Sequence, residues 1–470
     1  MLRIGFGKAD ITPEPGLPMV GMPGSPIGTG VRWPLTCRVV LADDGVQRIA
    51  IVALDLIALA ATDVARLRSR LAIGGGLPPG QIMVACSHTH RAPYTAPMGI
   101  DGAEAIPGAD AASVATFLDR VFAQTTRAME EAAAALEPAT LDIGRTAVPG
   151  WAFNRRPIYA GGEVGTHGWA WLDDFERMEG SPDENVWVLV ARREDGTVIG
   201  GLAGFACHPT AMAHDPVYSA DYPGVLVETL EARHGGVFAF LLGAAGDTST
   251  PDPTSRDEES GFGEAHTQAM GAALADAVDE ALARGERVDG TPIHSAVDLV
   301  DIPQRQPTPE QVELARWYLR EAPPDLDELA FTRRLYGHDY TFRDGKQTGN
   351  ARHAGELLKM WEWQQGPDAQ LVERLELQVI RLGDVAIVAL PVEVFTELGE
   401  RIKAASPFRH TCIATLANGW HGYVPTLEAF SRGGYEPRFA FPSRLAEDAG
   451  EQLVEAAIEA LEEFAPSRPT

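Results

Sequence analysis

The sequence is short of cysteine, of positive charge and of long apolar runs, and each shortage narrows what the chain can be. Its only cysteines are Cys37, Cys86, Cys207 and Cys412, far apart and with no C-x-x-C pair. Isolated cysteines in or beside apolar runs read as buried free thiols and exclude a disulfide framework. Lys and Arg number 39 against 66 Asp and Glu, a formal charge of −27. That balance argues against nucleic acid, which needs basic patches, and against docking on anionic membranes; its plain consequence is solubility. No run approaches the ~18 apolar residues of a membrane span. The first ten residues lack the apolar core of a secretion signal, so a cytoplasmic location without a membrane anchor is expected. Familiar signatures are missing too. Gly5-x-Gly7 lacks the third glycine of a dinucleotide fingerprint, and Gly243 to Ser249 lacks the Gly-Lys-Ser/Thr ending of a phosphate loop. There is no Gly-x-Ser-x-Gly elbow and no His-Glu-x-x-His helix. Internal repeats and low-complexity tracts are absent as well.

What is present is a recurring arrangement. Residues 81–85 form a short apolar run, read as a buried strand, and the chain then delivers Cys86-Ser87-His88-Thr89-His90. In extended backbone, side chains two apart share a face, so His88 and His90 are expected to project together. Imidazole is the commonest metal ligand. Alone, the pair also fits two solvated loop histidines. The pattern repeats, however. Apolar runs at 198–207, 237–242, 385–390 and 412–417 end respectively near His208-Pro209-Thr210, Asp247, Glu393 and Tyr423. Near-continuous apolar strands are buried on both faces, and ligands in open α/β sheets sit beyond strand ends. The expected fold class is therefore α/β, with mixed buried β-sheets covered by helices and a metal site where strand ends converge.

Each candidate has a plainer alternative. A buried His208 can be a satisfied core histidine, although the proline after it holds its backbone extended. Glu393 precedes a helical stripe (Phe395, Leu398, Ile402), so it is either a helix-start acid or an anionic metal ligand. Tyr423 and Tyr435 are packing residues, or phenols that a cation recruits. Elsewhere, Val114, Phe117, Leu118, Val121 and Phe122 keep the spacing of one helix face. Helices are expected at 224–231 and 264–283, and at the C-terminus, where Leu453, Ala457, Leu461 and Phe464 share a face. Residues 148–184 read as a long loop lining the pocket. The chain reads as one catalytic domain over 1–470, with 305–365 a helical insertion or lid interrupted near 338–349.

Taken in order, these segments resemble the catalytic domain of the neutral/alkaline, non-lysosomal ceramidase family. The resemblance runs from Gly5-Phe6-Gly7-Lys8-Ala9-Asp10-Ile11-Thr12-Pro13 through Ser87-His88-Thr89-His90, Asn154-Arg155-Arg156 and Phe205-Ala206-Cys207-His208-Pro209-Thr210. It continues through Ser219-Ala220-Asp221-Tyr222-Pro223-Gly224, Gly246-Asp247-Thr248-Ser249, Leu390-Pro391-Val392-Glu393-Val394-Phe395 and Asn418 to Thr426, and ends at Gly433-Gly434-Tyr435-Glu436. It implies a zinc amidohydrolase with His88, His208, Glu393 and Tyr423 as metal ligands. His90 and Tyr435 would line the reacting carbonyl as oxyanion donors, with Arg155 nearby and Ser249 in the pocket; His90 is also the first choice for protonating the leaving amine. The sequence departs from the larger members in stopping one helix beyond Tyr435, without their C-terminal β-sandwich, and in lacking a secretory start. Trp420 stands where many relatives have tyrosine, and Val392 where a glycine is common. The implied reaction is zinc-dependent hydrolysis of an N-acyl amide, ceramide-like or smaller. An ester or lactone cleaved at the same site, or a binding protein with a structural metal, are the alternatives. Oligomeric state is left open.

Overall fold

The computed structural model describes residues 1–19, 21, 26–95, 111–212, 215–257, 259–336, 350–367 and 369–465. Three sheets carry the fold. The first has the order Ile82–Cys86, Arg48–Leu54, Thr36–Asp43, Arg3–Asp10, Glu137–Pro138. The second runs Val237–Leu242, Val198–Phe205, Asn185–Arg192, Thr140–Ala147, Glu286–Val288, and the third Ile293–Pro303, Val372–Leu382, Val385–Leu390, His410–Thr415. All three are mixed in the same way: one parallel pair sits at an edge, and the other pairings are antiparallel. The parallel pairs are Arg48–Leu54 with Ile82–Cys86, Val198–Phe205 with Val237–Leu242, and Val385–Leu390 with His410–Thr415.

Burial on both faces explains the apolar runs. The sheets meet in one core, where Phe6, Ile51 and Met83 of the first pack with Leu189, Leu202 and Leu241 of the second and Ile380, Ile387 and Ala414 of the third. The other faces are covered by helices. Ala61–Gly75, Ala111–Ala134, Asp221–His234 and Gly263–Ala283 bury their apolar stripes against the first two sheets. Thr396–Ala405 and Ala449–Glu463 do so against the third, the latter through Leu453, Ala457 and Leu461. Gly5 and Gly7 have a packing role. The backbone of Ala111–Ala134 crosses them at Ala132 and Ala128 so closely that no Cβ fits. The expected mixed α/β class with helix-covered sheets is what is found, and all four cysteines are buried free thiols.

The 305–365 region contains the helices Pro309–Glu321, Glu328–Tyr336 and Asn350–Gln364. They share a small core of Val312, Phe331, Leu335, Leu357 and Met360 with Phe439. The interruption expected near 338–349 lies outside the described residues. Residues 148–184 are mostly irregular but hold the short strands Phe153–Asn154, Pro157–Tyr159 and Phe175–Met178. Among the described residues no helix is long and apolar enough to cross a membrane.

Candidate metal centre

The three parallel edges supply the site. Beyond Ile82–Cys86 come His88 and His90; beyond Val198–Phe205 comes His208; beyond Val385–Leu390 comes Glu393. Ligand-capable ring nitrogens of His88, His90 and His208 all lie within 4.8 Å of one another, and all three residues are buried. The Nε2 atoms of His88 and His90 are 3.3 Å apart. Glu393 Oε2 lies 3.2 Å from His88 Nε2 and 3.2 Å from His208 Nε2.

The convergence of His88 and His90 has a different origin from the one expected. The pair does not sit on extended strand: His88 has φ +66°, a left-handed conformation that is rare for a non-glycine residue. The turn, not strand alternation, swings the two rings together. Strain of this kind gathers at functional sites, and Asn418, at the end of the third parallel edge, shares it with φ +66°.

Three of the ligand candidates are oriented by groups just past the neighbouring strand of their own parallel pair. His88 Nδ1 is 2.7 Å from the carbonyl of Ile57, past the end of Arg48–Leu54. His208 Nδ1 is 2.7 Å from the carbonyl of Ala245, past Val237–Leu242. Glu393 Oε1 accepts a 2.8 Å hydrogen bond from Trp420 Nε1, past His410–Thr415. His90 Nδ1 lies 3.0 Å from the carbonyl of Gly21, whose close approach leaves no room for a side chain there: a Cβ on Gly21 would lie 2.5 Å from that nitrogen. A carbonyl has no hydrogen to give, so each Nδ1 must be the donor, and in a neutral ring Nε2 keeps a lone pair. Holding the outer nitrogen of an imidazole in this way is how proteins aim metal ligands.

The electrostatics point the same way. Burial, then the charge of Arg155, pushes the His208 imidazole down to about 4. Burial followed by His88 and His208 holds His90 well below the usual imidazole range. A neutral His208 therefore presents a lone pair to a carboxylate oxygen with no proton between them. A shared cation resolves that opposition, and imidazole with carboxylate is a donor set that suits zinc. The cluster can hold a metal ion.

Tyr423 reaches the site by a short parallel ladder, Glu393–Val394 against Tyr423–Val424, in which Glu393 and Tyr423 are paired residues. Its ring stacks on His208 at 6.3 Å and meets Tyr435 edge-on at 5.6 Å. Burial, then Glu393, pushes the Tyr423 phenol well above its usual value; burial likewise raises Tyr435. Arg155 lies over the Tyr423 ring at 5.6 Å. It donates from Nε to Glu436 Oε1 at 2.8 Å and from Nη2 to the Gly246 carbonyl at 2.7 Å. Glu436, fully buried, also takes Arg156 Nη1 and the Thr166 hydroxyl. Burial opposes ionisation of Glu436, yet Arg156 and Arg155 hold it down to about 2. Ser249 is buried, paired by its backbone with Phe153, and its Oγ has no hydrogen-bond partner among the described residues. Asp247 accepts from Asn154 Nδ2 at 2.9 Å and from Thr396 at 2.8 Å, tying the Asn154 segment to the start of a helix.

Sequence reasoning missed Trp420, Glu436 and the carbonyls of Ile57 and Ala245. Trp420 had a visible signal in its place between Glu393 and Tyr423 in the series of strand ends, and Glu436 in its place beside Tyr435. A separate cavity of about 320 Å³ lies between the second and third sheets, lined by Trp187, Phe205, Lys403 and Phe408 among others. It includes none of the predicted site residues, and its Lys403 is already paired with Asp183 at 2.6 Å.

Fold and cluster together define a mixed α/β protein with a buried, histidine-rich centre able to bind a metal. The whole chain is similar to the neutral ceramidase from Pseudomonas aeruginosa, with a TM-score of 0.71 and 20% identity over 76% of that protein's chain. A ceramidase complexed with C2 is similar at a TM-score of 0.70 and 20% identity, again over the whole of this chain and 76% of the other. The chain thus has the ceramidase fold. No protein-family profile matches it, and no curated protein does.

Proposed function

We propose that the chain is a zinc-dependent hydrolase of N-acyl amides, with His88, His208, Glu393 and Tyr423 as ligands. The observation that carries this reading is the set of buried imidazoles with every Nδ1 held by a carbonyl and Glu393 Oε2 3.2 Å from two Nε2 atoms. The shared fold supports the reaction class, since the similar proteins are ceramidases. Zinc in this cluster would supply Lewis acidity, acidifying water and polarising an acyl carbonyl.

The chain's own groups divide the remaining work. His90 donates from Nδ1 to Gly21, so its Nε2 is an acceptor, and the oxyanion-donor role expected from the family does not suit the neutral ring. It would take a proton at Nε2 from the attacking water and pass it to the leaving nitrogen. Tyr435, whose raised phenol keeps its proton, is the oxyanion donor, a contribution typically worth ~3 kcal/mol. Arg155, clamped by Glu436 and Gly246, positions the Tyr423 ring. Ser249 Oγ is left to bind the substrate. The helices of 305–365 would serve as a lid: Arg438, on the Tyr435 loop, reaches Glu356 at 3.2 Å.

The test is metal analysis of the purified protein joined to a panel of N-acyl amides and matching esters, before and after chelation. Stoichiometric zinc and amide turnover that is lost on chelation and restored by zinc are expected. Turnover of esters with inert amides would replace the amidase reading. Chelation that lowers the melting temperature of a protein with no hydrolytic activity would leave only a structural metal.

A further inference from the structure

Arg91 follows His90 directly in the chain, and its guanidinium is buried. The residue is 1% exposed. Its Nε, Nη1 and Nη2 atoms are all buried, with no hydrogen-bond partner among the described residues. A guanidinium carries five N–H donors in a flat fork and does not shed its charge, and burying it unpaired is strongly unfavourable. The backbone that launches it is fixed, with its N–H on Thr89 Oγ1 at 3.2 Å and its carbonyl accepting from Ser219 at 3.0 Å. The nearby arginines differ: Arg155 and Arg156 spend their donors on Glu436, Glu179 and the carbonyls of Gly246 and Gly433.

Burial pushes the Arg91 guanidinium down to about 10, and the acids that oppose this are Asp221 and Asp215. Asp221 is fully buried, and both its oxygens are engaged, Oδ1 by the Tyr222 N–H at 2.6 Å and Oδ2 by the Met212 N–H at 3.0 Å. Asp221 therefore offsets part of the charge while leaving the fork empty. A neutral carbonyl would occupy one arm of that fork. A carboxylate presents two coplanar oxygens and occupies two arms at once. With an acid already close by, a monoanion suits the position better than a phosphate dianion.

We propose that Arg91 anchors a carboxylate of the substrate, so that the favoured substrates are N-acyl compounds bearing an acid group. This rests on reading the histidine cluster as the hydrolytic centre. The probes are N-decanoyl derivatives of glycine, β-alanine and γ-aminobutyrate, and the monoanilide of a dicarboxylic acid, each beside its neutral primary-amide counterpart. With zinc-loaded protein, at least one acid should exceed its neutral partner about 10- to 100-fold in kcat/KM, the range for a hydrogen bond to a charged group. R91K keeps the charge and loses the fork, and R91Q loses both; both should shrink that ratio. Calorimetric binding of the same acid should weaken by a similar factor, with melting curves reporting whether each variant folds.

Equal handling of acids and neutral partners by the wild type overturns the proposal. An undiminished acid preference in a folded R91K or R91Q does the same. If acids bind through Arg91 but no amide is cleaved, the hydrolase reading falls and the anchor stands. If amides are cleaved with no preference for charge, the anchor falls and the hydrolase reading stands.

Discussion

Replacing Trp420 with phenylalanine tests whether the centre is built to hold a cation. The indole Nε1 donates to Glu393 Oε1 at 2.8 Å, and among the described residues Oε1 has no other hydrogen-bond partner. This bond turns Oε2 towards the two imidazoles. Phenylalanine keeps an aromatic ring beside Phe441, whose ring centre is 6.2 Å from that of Trp420, but removes the donor. Loss of such an outer partner typically weakens a metal site about 10- to 100-fold, or roughly 1.4 to 2.8 kcal/mol. The metal-free protein also loses a bond to a charged group, worth about 1.5 to 3 kcal/mol. Zinc affinity is measured by competition with a chromophoric chelator, and stability by melting with and without metal. F441L is the packing control: it opens space against the same indole without touching Glu393, so it should lower the melting temperature and spare zinc affinity. Unchanged zinc affinity in W420F would refute the argument, because Glu393 would then be held, or used, in some other way.

H88A and E393A should each lose zinc and amide turnover together, read by metal analysis and a steady-state assay; full activity in either removes that residue from the ligand set. E436Q should be destabilised at neutral pH by about 3 to 5 kcal/mol, because it leaves two buried guanidinium groups short of a charge partner. The pH dependence has a definite sign. Glu436 is held down to about 2 in the folded chain, against about 4.3 for a free glutamate, so its contribution is present above the free value and is lost as pH falls towards the folded one. The wild-type advantage in denaturant melts should therefore shrink steadily below that upper value; a constant gap would show that Glu436 does not act as an anion. G434A should slow turnover without releasing zinc. Gly434 has φ +91°, and a Cβ there would lie 2.5 Å from Arg156 Nη1 and 2.7 Å from Thr166 Oγ1, displacing the loop that carries Tyr435. Unaltered kcat in a folded G434A would argue against a role for Tyr435.

The parts of the fold that depend on burial were readable in the sequence. Runs such as 237–242 and 385–390 have the bounds of strands because a strand covered on both faces admits few polar residues. The residues just beyond those runs were readable too, since each departs abruptly from the apolar pattern. What stayed hidden depends on backbone groups and on residues distant in the chain. Nothing in the letters Ile57 or Ala245 announces a carbonyl that will fix a histidine tautomer. Glu436 looked like part of a glycine-rich loop, because its partners Arg155 and Arg156 lie about 280 positions away. Strand periodicity also misled at His88. It gave the right neighbour by the wrong geometry, since a left-handed residue leaves no trace in a two-residue pattern.

Parallel pairing accounts for why the centre forms where it does. In an antiparallel hairpin, neighbouring strands end on opposite sides of a sheet, so a ligand and the group that orients it cannot both follow from adjacent strand ends. Parallel neighbours end on the same side. This chain uses antiparallel pairing for most of each sheet and adds one parallel pair at an edge of all three. In each pair one strand leads to a ligand candidate, and its neighbour leads to the group holding that ligand: His88 with Ile57, His208 with Ala245, Glu393 with Trp420. Three such edges, packed around the core shared by the sheets, bring two imidazoles and a carboxylate together from segments spread over some 300 residues. Each of these three candidates is held by a group that lies just past a strand hydrogen-bonded to its own. Damage to one edge should therefore disturb its own candidate before the other two.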